Sequence, residues 1–302
     1  MELSRIRRAA LAPVVFRYRG RELTAGDIEQ IAVVVNCNYR RGRSHIAHLL
    51  CRQWNWVQTN GRFKEYAARD LLLRLEEKGF IELPPRLRPK NNSKPKSFAQ
   101  RPLFVKQPLQ GQVNDYADLQ LRLVGPDDAY LWGYLLEHYH YLGYPRLVGE
   151  HSKYLAFVNG QAVACLAWAS AAFKVKDRDD FIGWSAALRR QRLHLVANNV
   201  RFLVLPWIRV KNLASKVLAL NLRCLSGHWQ QAYHHGLYLA ETFVDRARFE
   251  ATCYRAANWQ HVGQTSGSAK KGNDYHYHGR PKAIYLYPLH PDFRRYLLDD
   301  QR

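Results

Sequence analysis

Between residues 201 and 262, apolar runs and polar turns alternate in the order strand, helix, strand, helix, strand, which is the pattern of a layered α/β sheet. Residues 201–208 are rich in Val, Leu, Ile, Phe and Trp and suit a buried strand. A polar turn follows at 209–212, and then Leu213, Val217, Leu218, Leu220, Leu222 and Leu225 recur at helical spacing. A second apolar strand over 237–244 ends in Asp245. A short helix over 246–257 and a strand-like piece at 261–263 close the unit. Free amides at the start of a helix attract anions, so the first strand-to-helix turn is the expected seat of a phosphate-bearing ligand. An ordinary turn with no ligand is the plainer alternative.

Upstream of this unit, residues 127–139 have helical character. Residues 153–158 and 161–169 read as two strands joined by Asn159-Gly160, a strong two-residue hairpin signal. These elements predict a mixed-sheet domain over residues 119–302.

The first third of the chain has a different character. The whole carries a net charge of +21, and residues 1–106 hold 22 Lys/Arg against 9 Asp/Glu. Such an excess points to a polyanionic partner, nucleic acid ahead of membrane. Thr24 with Asp27 resembles a capping box opening a helix over 25–36, with Ile28, Ile31, Ala32 and Val35 on one face. Ser44 is placed to cap a second helix over 44–53, and Asn60-Gly61 marks a turn before a third helix over 64–78. Residues 80–83 read as a strand, so residues 1–85 predict a winged helix-turn-helix. In such a module the N-terminal end of the third helix enters the major groove, which nominates Arg62, Lys64 and Arg69 with Tyr66 beside them. Arg40, Arg41 and Arg43 in the preceding turn are placed to meet phosphates. The alternative is a solvated arginine surface on a protein-binding module. Residues 86–118 read as a basic Pro/Lys-rich linker: seven Lys/Arg and no acid lie between Pro85 and Pro108.

Several classes are set aside. No run of 18 apolar residues exists to cross a membrane, and the basic N-terminus shows no clear leader-peptide cleavage site. Cys37, Cys51, Cys165, Cys224 and Cys253 are odd in number and contain no C-x-x-C pair, which suits reduced thiols and a cytoplasmic location. No P-loop or Ser-His-Asp order is present. His138, His140 and His151 lie close in sequence, but an i, i+2 pair does not converge on one helix face, so no metal site is assigned. His276 and His278 fall in a Gly/Ser/Lys-rich stretch read as a mobile loop suited to phosphate contact.

Particular motifs carry resemblances. The 209–214 turn resembles the Q/R-x-x-G-x-G/A turn that acetyltransferases of the GNAT superfamily use to cradle the pyrophosphate of acyl-CoA. Arg209 and Ala214 match, and Asn212 replaces the middle glycine. Asn is among the non-glycine residues that best tolerate a left-handed backbone, so the turn can form. The segments "HYLGY", "FIGWS", "NNVRFLVLPWIRVKNLASKVL", "ETFVD" and "CYRAANWQHVGQTSG", in that order, resemble the family of the Druantia anti-phage protein DruA. That resemblance implies a link to phage defence or mobile DNA, with partners among defence or transposition proteins, and it supplies no catalytic residues. A looser resemblance, confined to about sixty residues, is to the Mom group of DNA-modifying acyltransferase-like proteins. Its turn, acid and aromatic stretch are matched by Asn212–Ser215, Asp245 and Tyr254–Trp259.

These resemblances imply a GNAT-like fold for the C-terminal domain. They nominate Ser215, Asp245 and Tyr254 as catalytic and Arg209, Asn212 and Ala214 as cofactor-binding, with no particular cofactor assigned. For Asp245 the competing reading is a helix cap, and for Tyr254 a packed aromatic. Glu241, of the same strand parity as Asp245, could face the same cleft. Two function classes stay open: a DNA-recognition protein with the α/β domain as platform, and a transferase acting on DNA or on a partner protein.

Overall fold

A computed structural model of the chain describes residues 13–19, 21–58, 61–86, 97–145, 147–271, 274–277 and 279–299. Residues 1–12 of the segment read for a leader, Asn60 of the expected turn, residues 87–96 of the expected linker, and His278 lie outside the described residues. The chain divides into two compact units, Met1–Lys94 and Pro95–Arg302.

The first unit is built from β1 (Val14–Tyr18), β2 (Arg21–Thr24), α1 (Ala25–Cys37), a 3-10 turn at Tyr39–Arg41, α2 (Arg43–Gln53) and α3 (Glu65–Glu77). The capping box forms: the Asp27 amide donates to Thr24 Oγ1 at 3.2 Å and the Thr24 amide to Asp27 Oδ2 at 2.8 Å. Ile28, Ile31 and Val35 of α1 meet Ile46, Ala47 and Leu50 of α2 and Leu71, Leu72 and Leu75 of α3 in one core. Their spacing of three and four residues sets them on the inward stripe of each helix.

Three details differ from expectation. Gly42, at φ +83°, takes the N-cap position of α2 and the helix opens at Arg43, so Ser44 is not the cap. Residues 80–83 form no strand. The Leu83 amide instead donates to Glu76 Oε1 at 3.1 Å, a side-chain acceptor standing in for a partner strand. The β structure of this unit lies ahead of α1, where β1 and β2 pair antiparallel. There the Arg21 guanidinium lies 5.0 and 4.6 Å from the ring centres of Trp54 and Trp56, which holds the hairpin to the core.

The second unit is a mixed α/β domain. Its strands are β3 (Leu109–Gln112), β4 (Gln120–Leu123), β5 (His151–Val158), β6 (Gln161–Ser170), β7 (Val196–Val204), β8 (Ile208–Lys211), β9 (Leu239–Val244), β10 (Gln260–Gln264), β11 (Ser268–Lys271), β12 (Asp274–Tyr277) and β13 (Ala283–Pro288). Its helices are α4 (Ala129–Tyr139), α5 (Lys176–Ile182), α6 (Ala186–Arg192), α7 (Leu213–Tyr233), α8 (Thr252–Ala256) and α9 (Phe293–Leu298). Seven strands make one sheet in the order β10-β13-β9-β7-β6-β5-β4. Asn159 and Gly160 connect β5 to β6 with φ +49° and +72°, the positive pair that an Asn-Gly hairpin turn requires.

Helices cover both faces of the sheet. Side chains alternate along β9 and β13: Ala240, Ala283 and Tyr285 join the cluster under α4, α7 and α8, while Leu239, Ile284 and Leu286 join Ile182, Trp184, Phe293 and Leu297 on the other face. Residues 97–118 are not a free tether. Phe98 is buried in the main core, and β3 pairs in parallel with β8. In the stretch expected to be a loop, Ser268–Lys271 and Asp274–Tyr277 pair antiparallel as β11 and β12, and residues 246–251 are a turn rather than the first half of a helix. No helix among the described residues is long and apolar enough to cross a membrane.

Candidate functional site

In the first unit, the turn before α2 and the outer face of α3 enclose a groove of about 660 Å³, lined by Arg41, Arg43, Ser44, Tyr66, Arg69 and Arg86 among others. Arg40 and Arg41 sit exposed in the 3-10 turn. Arg69 is exposed on α3 with its guanidinium 5.9 Å from the ring centre of Tyr66, which is itself 76% exposed. Arg62 and Lys64 precede α3 on the exposed side. Desolvation, aided by the charges of Arg21 and Arg19, holds Lys64 below the ordinary ammonium range.

Arg43 departs from expectation. Its Nε donates to the Pro84 carbonyl at 2.6 Å, and its two Nη atoms each lie 3.2 Å from an oxygen of Glu76. That bidentate pair ties α2 to the end of α3, so Arg43 is a structural residue rather than a free phosphate contact. Arg86, assigned in sequence to a linker, lines the groove instead.

In the second unit, the seam between β7 and β9 opens partway along. The two strands are parallel and pair only from Val196 with Leu239 to Asn198 with Glu241. Beyond that point they part around a cleft of about 420 Å³, whose lining includes His140, Tyr141, Asn198, Asn199, Arg201, Thr242, Asp245, Phe249, Tyr254 and Lys282. Asn199 is held by its neighbours: its Nδ2 donates to the Ala167 carbonyl at 3.2 Å and to the Arg201 carbonyl at 3.3 Å. The Thr242 hydroxyl donates to the Asn199 carbonyl at 3.1 Å, and the Tyr254 hydroxyl donates to Asn199 Oδ1 at 2.8 Å. Burial raises the Tyr254 phenol above its ordinary value, so it stays protonated.

His140 Nδ1 accepts the Leu142 amide at 3.1 Å, which leaves the proton of the neutral ring on Nε2. Burial and the nearby charge of Arg201 lower His140 to about 4, so it is a neutral N–H donor at physiological pH. Asp245 stands at the cleft mouth. Its Oδ1 accepts the Ala247 amide at 3.1 Å, its Oδ2 lies 3.7 Å from Arg248 Nε, and its carbonyl accepts the Arg248 and Phe249 amides. The carboxylate therefore shapes its own turn and caps no helix, since α8 opens only at Thr252 with Ala251 at its N-cap.

Glu241 does not share the cleft. It is fully buried on the opposite side of the closed seam, where Oε2 accepts Arg178 Nη1 at 2.7 Å and Oε1 accepts the Ala172 amide at 2.9 Å. Arg178, Asp179, Arg189 and Glu241 form a charge-balanced buried network, completed by a Trp184 Nε1 bond to Asp179 at 2.9 Å. The network anchors α5 and α6 against the paired end of β9.

The 209–215 turn lies apart from the residues lining the cleft. Asn212 adopts the left-handed backbone, φ 66° and ψ 2°, and is exposed. Arg209 belongs to β8 and is exposed, Ala214 is half-buried, and the Ser215 hydroxyl donates to the Asn212 carbonyl at 3.0 Å. Ser215 thus closes its own turn rather than joining Asp245 and Tyr254. Sequence reasoning passed over Asn199, Tyr141 and Phe249, and weighed His140 only as a metal ligand. The available signal was "NNV": adjacent amides entering an otherwise apolar strand.

Comparisons with known proteins bear on the second unit above all. Among curated proteins none matches the chain. An acetyltransferase of the GNAT family from Streptococcus pneumoniae is 15% identical over 57% of this chain and 99% of its own, with a TM-score of 0.36. An aminoglycoside acetyltransferase solved with coenzyme A and kanamycin is 15% identical over 57% of this chain and 95% of its own, at 0.34. A putative acetyltransferase from Salmonella typhimurium, solved with acetyl-CoA, is 8% identical over 57% and 95%, at 0.36. The family described as Druantia protein DruA matches residues 74–272, most of the second unit together with the end of α3. The chain belongs to the Druantia protein DruA family.

Proposed function

We propose that this DruA-family protein is a DNA-binding component of a phage-defence or mobile-element system, acting in the cytoplasm with partner proteins of that system. The groove of the first unit carries this reading. Arg41, Arg69 and Arg86 line one concavity beside an exposed Tyr66, against a single acid, Asp70, with Arg40 in the adjoining turn and Arg62 and Lys64 ahead of α3. Cations on a concave surface, in a chain of net charge +21, suit a phosphate backbone. The end of α3 that bears Tyr66 and Arg69 is the part offered to a groove of the duplex. Binding of a labelled duplex, followed by anisotropy, tests the reading. Arg41→Glu with Arg69→Glu is expected to abolish binding at physiological ionic strength, and undiminished affinity would refute it.

A second reading, a GNAT-like transferase, is favoured by the parted seam. β7 is followed by β8 and then by the left-handed Asn212 turn, whose sequence resembles the acetyltransferase motif. Tyr254, which the resemblances nominate as catalytic, lines the cleft and donates its hydroxyl to Asn199. Against it, a side chain at 212 stands where the motif has glycine. A ligand that binds only the folded state raises Tm by mass action. The platform reading expects no shift with acetyl-CoA. A shift of several degrees that vanishes when Ala214 is replaced by Trp would overturn the platform reading, and loss of transfer in Asp245→Asn and Tyr254→Phe would then test the transferase.

A further inference from the structure

The mouth of the β7–β9 cleft has features that neither reading uses. Tyr141 and Phe249 stand 40% and 47% exposed, their ring centres 5.2 Å apart and their planes tilted by 59°. The Arg248 guanidinium lies 5.2 Å from the centre of the Tyr141 ring. Asn198 is among the residues lining the cleft, and its Oδ1 is a buried acceptor with no hydrogen-bond partner among the described residues. It lies at the last paired position of β7, where the seam opens.

We propose that this open end of the seam binds a single unpaired nucleotide, its base stacked against Tyr141 and Phe249 and its phosphate drawing the exposed Arg248 from its long, 3.7 Å contact with Asp245. Three arguments converge on that occupant. Exposed aromatic faces next to a guanidinium are the usual platform for a base and its phosphate. A buried, unmet carbonyl oxygen requires a donor, and every base carries an N–H on its Watson–Crick edge. That edge is engaged inside a duplex, so the base must be unpaired; a cleft of about 420 Å³ also takes a base and not a helix. The inference rests on the reading of the protein as nucleic-acid-binding, yet on different residues, so the two can fail separately.

The test uses the full chain and a short single-stranded oligonucleotide carrying one 2-aminopurine, read by anisotropy and by the fluorescence of that base. The parent protein is expected to quench it by stacking. Tyr141→Ala and Phe249→Ala are expected to bind roughly 5- to 150-fold more weakly and to leave it bright, with thermal stability kept because both rings are surface residues. Tyr141→Trp should retain the quench. Arg40→Ala with Arg41→Ala should weaken duplex binding and leave the quench intact, which separates this site from the groove. Quenching that persists in both Ala variants would overturn the proposal, as would an oligonucleotide signal abolished by competing acetyl-CoA.

Discussion

The two units use arginine in opposite ways. Arg178 in the second unit has no exposed surface and donates to Asp179, to Glu241 and to the Ala172 carbonyl at 2.8, 2.7 and 2.9 Å. Arg40 and Arg41 in the first unit point into solvent. Arg43 stands between these extremes, partly exposed but paired with Glu76. An arginine held in a buried or bidentate pair with a carboxylate of its own fold is a structural part; an exposed one without such a pair is available to a polyanion. Stability and nucleic-acid binding should therefore respond to different arginines.

The largest effect that could break this contrast is at Arg178. Removing one partner of a buried pair strands the other charge, so Arg178→Ala should lower stability by about 3–5 kcal/mol in denaturant titration. Arg178→Met with Glu241→Leu should recover most of that loss, because the uncompensated carboxylate goes with it. A small effect from Arg178→Ala alone would mean that the network is not what fixes the closed end of the seam.

Next in size is Arg43→Ala. Losing a charged, bidentate link to Glu76 and a bond to Pro84 should destabilise the protein by about 1.5–3 kcal/mol. Duplex affinity should change little at temperatures where the variant is folded. A loss of affinity with unchanged stability would move Arg43 back among the DNA contacts.

Acid gives a graded test of the second unit. His140 and His194 are each lowered from 6.5 to about 4, first by burial and then by neighbouring positive groups. The unfolded chain therefore takes up protons that the folded chain refuses between about pH 6.5 and 4. Stability should be full above that window and fall as pH drops through it. In His194→Gln the slope of Tm against pH should be shallower, and an unchanged slope would remove His194 from this account.

What could be read in advance was local. The Thr24–Asp27 box, the Asn159-Gly160 hairpin and the left-handed Asn212 each depend on residues within a few positions, and each is present as spacing predicts. The mixed α/β character of the second unit followed from the same short-range periodicity. What escaped was set by pairs distant in sequence. Arg43 finds Glu76 33 residues away, and Arg178 finds Glu241 63 residues away. No period in the sequence marks either pairing. Phe98 turns a polar, proline-rich stretch into part of a core with a single ring, which composition cannot register. The candidate cleft was half legible: Asp245 and Tyr254 line it, whereas Ser215 is turned into its own loop, and Asn199 and His140 enter through tertiary contacts.

The smallest stability effect belongs to Arg40→Ala with Arg41→Ala, expected within about 0.5 kcal/mol because both side chains are exposed. That neutrality makes the pair the cleanest probe of the central claim, that the first unit binds duplex DNA through free arginines. The measurement is the slope of log affinity for duplex DNA against log salt concentration, to which each neutralised phosphate contributes roughly −0.9. The account predicts a steep slope for the parent and one shallower by about 1.8 for the double variant, with weaker binding to every sequence. A double variant with the parent's affinity and the parent's slope would contradict it.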